Sequence, residues 1–466
     1  MLSLGAWYTN LSVKLVNHIT RYKSLWEKYV IMSATSAIPR PLFDTLDQLC
    51  ELYKRCQIDN QERIISDWLT VCLSDLKTTL PNEIKNAVVP EFGHALRFLY
   101  SYRGSFETFN SYRREIDRLL QWSWFVLEKP ILHLKRLDIE AFIEFCQKPP
   151  KRWIGSKMVA RFITKDGVIM PNPEWRPFIV KISKKAFQDG ERPDKASFEL
   201  SQQGIKQIFA ILGSFYNALI QEEVIEINPV VQIRQKSKFI RKIPNIPMIR
   251  RLSDKQWQMV LKTTKQLAEE DPKRHKRTLF MLQMLYGMYL RISELASTSR
   301  WSPKMSDFFR DTNGDWWFRT VGKGNKMRQI AVSDSMLEAL KEYRGYLGYS
   351  PLPAPDDQEP LIPKERGIGG MESTRVIRQL IQTCFDTAVD HLRANNEPEE
   401  AEMLRSATVH WLRHTGISED VKHRPREHVR DDAGHSSGAI TDRYIDIELK
   451  ARANTARNKT WGEKKA

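Results

Sequence analysis

The strip Arg234–Arg251, RQKSKFIRKIPNIPMIRR, holds seven basic residues, two prolines and no acid. Proline removes a backbone donor and fixes φ, so neither a helix nor a central strand runs through such a stretch. It reads as an extended, positively charged linker. Directly after it, Ser253-Asp-Lys-Gln256 has the spacing of a capping box that opens a new helix. A domain boundary is expected there. The length of 466 residues points the same way, being too great for one ordinary core.

Before the linker, residues 1–100 read as a helical region of unknown role, with Leu42, Leu46, Leu49 and Leu52 on mixed apolar faces. Met32 offers a second plausible start, which would make 1–31 a leader. Residues 101–233 form a clearer unit. Phe109, Tyr112, Ile116, Leu119 and Leu120 keep helical spacing. Ile139, Phe142, Ile143 and Cys146 mark a short second helix, and Ile205 to Ile220 a strongly periodic third. An insertion at 148–197, rich in Pro, Lys, Arg and Trp, separates the last two; a DNA backbone and its own domain are both plausible surfaces for it.

After the linker, 253–446 begins with helices near 253–270 and 274–289. Asp311-Thr-Asn-Gly-Asp315 predicts a hairpin turn. Trp316–Val321 and Arg328–Val332 read as strands around a second turn, Gly322-Lys-Gly-Asn-Lys326. A Pro-rich loop at 351–363 leads to a helix near 374–393, and the remainder looks helical. Residues 447–466 form a basic tail. The fold class expected is mainly α with a small β-sheet.

The formal net charge of +16 favours a polyanionic partner, a nucleic acid or an anionic membrane surface. No run of about eighteen apolar residues is present, which turns that choice away from the membrane. The five cysteines are scattered and form no Cys-x-x-Cys pair, so neither a disulfide framework nor a thiolate metal cage is suggested. A reducing, cytoplasmic setting fits.

Several polar side chains stand out in the C-terminal part. Arg291 follows an apolar helix and needs a partner; a salt bridge to Glu294 is the plain alternative to a functional role. Lys323 lies at a hairpin tip, ordinary surface chemistry if taken alone. His410 and Arg413 are three apart and share a helical face. His414, next to Arg413, is expected on a different face, although His410 and His414 have the spacing of a zinc pair. Trp411 stands where a metalloprotease has its glutamate, and no third ligand is evident, so no metal is expected. His435 precedes Tyr444 by nine residues; alone, Tyr444 reads as a core tyrosine.

Together these residues suit attack on a phosphodiester. Its transition state gathers negative charge on the non-bridging oxygens, and guanidinium forks match that geometry. Ionising a tyrosine at pH 7 costs about 4 kcal/mol unless a base takes its proton in the transition state. A histidine can do so, and a lysine can protonate the departing oxygen.

The sequence resembles the tyrosine recombinase (phage integrase) family over roughly residues 100–450. The likeness rests on Leu290-Arg-Ile-Ser-Glu-Leu295, Gly322-Lys-Gly-Asn-Lys326, His410-Trp-Leu-Arg-His-Thr415, and Gly434-His-Ser-Ser437 with Tyr444 beyond it. The resemblance implies a helical core-binding domain and an α+β catalytic domain that close around DNA as a clamp. It implies Tyr444 as nucleophile, Arg291 and Arg413 as phosphate clamps, Lys323 as general acid with Lys326 as fallback, His410 as general base and His435 as a phosphate hydrogen-bond donor. Glu294 would support Arg291. No cofactor or metal is expected. Partners implied are double-stranded DNA, a homotetramer on two synapsed sites and an accessory DNA-bending protein. A mobile-element integrase is the leading expectation. A type IB topoisomerase-like enzyme and a non-catalytic DNA-binding protein of the same fold are the alternatives. The sequence departs from the family pattern at Tyr289, usually glycine, at Gly416, usually bulky and apolar, and at Ala433, usually leucine.

Overall fold

A computed structural model describes residues 38–73, 80–234, 236–240, 250–298, 301–322, 324–435 and 456–457. The expectations placed on the leader and Met32, on Lys323, on Tyr444 and on most of the tail lie outside these residues, as does 241–249 of the linker. The chain divides into two compact units, Met1–Pro244 and Asn245–Ala466. The described residues are mainly helical with small sheets, the class expected from the sequence.

In the first unit, α1 (Leu46–Ile58), α2 (Gln61–Leu73) and α3 (Asn82–Ser101) share one apolar core with α4 (Phe106–Trp122) and α5 (Arg136–Gln147). Beyond the short α6 (Lys184–Gln188), α7 (Gln202–Gln221) joins the same core. Phe43 stacks on Phe92 with centroids 4.6 Å apart, and Trp68 Nε1 donates to the Leu42 carbonyl at 2.8 Å. Burying each such aromatic side chain contributes roughly 1.5–3 kcal/mol. The sequence carries no signal for this union, because helical periodicity says which face is apolar and not which helix covers it.

The insertion forms two small β pairs. Strands β1 (Ile154–Gly155) and β4 (Phe178–Ile179) run parallel, and β2 (Phe162–Lys165) and β3 (Val168–Pro171) form a hairpin. Trp153, Phe162, Trp175 and Phe178 are buried. Arg161 pairs with Asp117 of α4 and lies over the Trp175 ring at 4.5 Å. Arg118 Nε donates to the Pro177 carbonyl at 3.0 Å. Packing on its own domain therefore uses the aromatic content of this segment, while Lys151, Lys157 and Lys165 stay exposed.

The second unit opens with α8 (Asp254–Glu270), and both halves of the expected capping box are present. Gln256 N donates to Ser253 Oγ at 3.1 Å, and Ser253 N to Gln256 Oε1 at 3.0 Å. Then come α9 (Pro272–Gly287), the single turn α10 (Ile292–Leu295), and an antiparallel sheet ordered β5 (Phe308–Arg310), β6 (Trp316–Val321), β7 (Met327–Ala331). The Asn-Gly turn closes as expected: Asp311 N donates to the Asp315 carbonyl at 2.9 Å, and Gly314 takes φ 94°. Phe318 and Ile330 point into a core shared with α11 (Asp334–Tyr346) and α12 (Thr374–Ala394). The remaining helices are α13 (Pro398–Arg405), α14 (Val409–Asp420) and α15 (Arg426–Ala433). Among the described residues, no helix is long and apolar enough to cross a membrane.

Candidate active site

The centre of the site is one carboxylate. Glu294, on α10, is 2% exposed and accepts from three groups of two elements. Arg291 N and Nη1 donate to it at 2.8 and 2.9 Å, so the salt bridge allowed for in the sequence is present. Arg328 of β7 approaches it with both terminal nitrogens, at 2.7 and 2.8 Å. Burial pushes the Glu294 carboxyl up, but the bonds from Arg328 and the attraction of both guanidiniums outweigh it and hold the group below its ordinary value. Two arginines share this one anion, and the Arg291 side chain remains 29% exposed.

Gly322, where β6 turns toward the Lys323 hairpin, passes close to this cluster. A Cβ there would lie 2.9 Å from Arg328 Nη1 and 3.3 Å from Glu294 Oε1. The described flanks of the hairpin thus start beside Arg291, and Lys326 is exposed on the returning side. Lys323 itself is outside the described residues.

Arg413 sits on α14, 3% exposed. It donates through Nη1 to the Tyr289 carbonyl, just before Arg291, and through Nη2 to the Ala433 carbonyl at 2.5 Å, just before the Gly434-His435 corner. That corner caps α15. Gly434 takes φ 63°, its N–H donates to the Asp431 carbonyl at 3.0 Å, and His435 N donates to the Arg430 carbonyl at 3.1 Å. This pair of bonds is a Schellman cap, which needs a left-handed residue at the glycine position. A Cβ on Gly434 would also press on Arg328 Cδ at 2.9 Å. The glycine before the histidine has two reasons to be there.

The histidines report how much positive charge converges here. His435 is pushed down to about 4 by burial, then by Arg413, Arg291 and Arg328. His410 is held below its ordinary value by burial, then by Arg413, Arg291 and Arg250. A neutral imidazole at pH 7 can accept a proton, and an arriving phosphate would restore part of its basicity. His414 does not lie apart from this group. Its ring meets His410 edge to face at 4.4 Å, because residues four apart on a helix stack along one side. It too is lowered to about 4, by burial and then by His410, Arg413, Arg250 and His435.

The structure therefore brings together Arg291, Glu294, His410, Arg413 and His435, which span 145 residues of sequence. Sequence reading missed Arg328. Its signal was positional: two residues before the buried Ile330 on β7, it shares the inward face of the strand, an unusual place for a lone cation.

Residues 250–450 match the phage integrase family. Tyrosine recombinase XerC of Pediococcus pentosaceus is 31% identical over 147 residues, which is 31% of this chain and 42% of that protein. XerC of Leptospira interrogans is 23% identical over 313 residues, 67% of this chain and 81% of that protein. The chain thus spans less than half the length of the first of these relatives. Among solved structures, the XerH site-specific recombinase bound to palindromic difH substrate in a post-cleavage complex superimposes with a TM-score of 0.50. That likeness covers 91% of this chain and all of the other at 14% identity, and it speaks for the fold. The ordered motifs, the match over residues 250–450 and this fold agree in likening the chain to tyrosine recombinases of the phage integrase family.

Proposed function

We propose that the chain is a site-specific recombinase that cuts and rejoins duplex DNA through a covalent tyrosyl intermediate, in the integration or excision of a mobile element. The observation that carries this reading is the convergence of two arginines and two neutral histidines on one spot beside a single shared carboxylate. Such a spot is short of negative charge, and a phosphodiester supplies it.

In this mechanism Arg291 and Arg413 grip the non-bridging oxygens of the scissile phosphate, and His435 donates a further hydrogen bond. His410 takes the proton of Tyr444 as its oxygen attacks phosphorus. The bond to the 5′ oxygen breaks, and Lys323 delivers a proton to it, with Lys326 in that role if the hairpin register differs. The 3′-phosphotyrosyl ester keeps the energy of the broken link, so the 5′ hydroxyl of another strand can displace Tyr444 without ATP. The positive charge of the chain suits a clamp of the two units on duplex DNA, with salt-sensitive affinity. Assembly as a tetramer on two synapsed sites, help from a DNA-bending protein and a cytoplasmic, nucleoid-associated setting belong to the same proposal.

The test uses nicked duplexes tiling the DNA that flanks the gene, incubated with the wild type and with Tyr444→Phe. A denaturant-resistant adduct on one short segment, lost in the variant, is the expected result. Adducts on every duplex would point to a topoisomerase-like relaxing enzyme. Tight binding with no adduct would leave the non-catalytic reading standing and remove this one.

A further inference from the structure

Tyr289, Gly416 and Ala433 meet in one place. Tyr289, Ile417, Val429 and Ala433 form a small apolar cluster separate from the main core of the unit, with Val421 packed on it. Tyr289 takes φ 51°, a left-handed conformation that a side chain seldom adopts and glycine adopts readily. Its ring lies against Gly416: a Cβ there would be 3.1 Å from the ring and would collide with the Tyr286 carbonyl oxygen.

The Tyr289 hydroxyl is held in an ionic chain. It donates to Asp420 Oδ2, and Arg424 Nη1 donates both to Tyr289 Oη at 2.9 Å and to Asp420 Oδ2 at 3.1 Å. Arg424 Nη2 donates to Asp432 Oδ2 at 2.6 Å. Asp432 in turn accepts Ala331 N at 3.3 Å with Oδ1 and Arg328 Nε at 3.0 Å with its carbonyl. Burial and the neighbouring Asp420 carboxylate push the Tyr289 hydroxyl well above its ordinary range, so it stays a donor.

The two carbonyls that aim Arg413 belong to Tyr289 and to Ala433, the residue after Asp432. These are the two ends of the ionic chain. We propose that Tyr289, Asp420, Arg424 and Asp432 act as a brace that fixes the Arg413 guanidinium, with Tyr289 as a positioning residue for strand cleavage. The brace rests on the reading of Arg413 as a phosphate clamp. Gly416 leaves room for the Tyr289 ring, and the hydroxyl ties Asp420 of α14, Arg424 and Asp432 of α15 into one chain.

The test compares the full-length wild type, Tyr289→Phe, Asp420→Asn and the double variant on the duplex that yields the adduct. Single-turnover adduct formation is followed against protein concentration, with the melting temperature recorded for each. Tyr289→Phe is expected to lower the saturating rate roughly ten- to hundredfold, the scale set by a hydrogen bond to a charged group, with half-saturation little changed. The double variant is expected to be no slower than the worse single one, because both cut the same chain. Ile381→Val, in the main core of the unit, serves as a control that lowers melting without touching the brace, and it should leave the saturating rate of the folded protein intact. A Tyr289→Phe rate equal to wild type, or reduced only in step with melting as in the control, would overturn the brace alone. A wild type that forms no adduct overturns the recombinase reading, and the brace with it.

Discussion

Two buried charge clusters, one in each unit, differ in kind. In the first, arginines meet carboxylates: Arg161 pairs with Asp117, and Arg118 with Glu115 at 2.9 Å and with the Pro177 carbonyl, while Arg114 shares Glu115 at 2.7 Å. In the second, Arg291 and Arg328 share Glu294, Arg413 points at two neutral carbonyls, and three histidines are driven toward the neutral form. The first arrangement sets charge against charge; the second gathers guanidiniums and neutralised imidazoles around one carboxylate, the pattern expected where an anion is to be received.

The sharpest way to break this comparison is to remove one buried arginine from each unit. Arg413→Ala is expected to slow adduct formation by roughly two to three orders of magnitude, the usual cost of losing one transition-state donor. Melting should fall as well, since the Tyr289 and Ala433 carbonyls lose their buried donor, but the loss of cleavage per folded molecule is the larger effect. Arg161→Met should do the reverse. It strands Asp117 in the core, so the first unit is expected to lose about 3 kcal/mol or more in chemical denaturation, while cleavage by the folded fraction persists. Equal behaviour of the two variants would erase the distinction.

A smaller effect separates the units by pH. In the first unit Glu91 is buried, accepts Trp124 Nε1 at 2.7 Å and Leu132 N at 3.1 Å, and is pushed up by burial to about 7. The folded unit therefore holds more protons than the unfolded chain between about 4.5 and 7, and stability from this group is lost as pH rises through that window. His435, lowered to about 4, works in the other direction: the folded unit holds fewer protons between about 4 and 6.5, so stability falls as pH drops through it. Hydrogen exchange at pH 5 and 7.5, resolved by unit, should show opposite slopes. Glu91→Gln and His435→Gln should each flatten only the slope of their own unit; a shared slope in the wild type would count against both assignments.

How much of this was legible beforehand follows the range of each interaction. The capping box at Ser253 and the Asn-Gly turn at 311–315 are local, and both closed as read. The fold class was equally legible, since the periodic faces of α4, α5 and α7 are buried where expected. For the site, residue types in order identified Arg291, Glu294, His410, Arg413 and His435, and the structure gathers them. Lys323 and Tyr444 stand on the motif alone. Arg328 escaped because its partner Glu294 lies thirty-four residues away on another element. The Tyr289 chain escaped because it joins residues up to 143 apart through contacts that no periodicity encodes. The fate of the 148–197 insertion was open for a simpler reason: composition counts tryptophans but does not say what they lie against.

The register of β6 and β7 has a consequence for what variation this chain tolerates. Thr320 stands opposite Arg328, and that pairing delivers the guanidinium to Glu294 beside Arg291. Because side chains alternate, a slip of one residue would turn Arg328 outward and bring a neighbour in its place. Exchanging residues in the exposed turn at 324–326 leaves the pairing alone, whereas deleting or inserting a single one shifts it. Among functional relatives, the length of this turn is therefore expected to stay fixed even where residues other than its lysines change, a signature that sequence comparison can look for in the gaps of an alignment as well as in its identities.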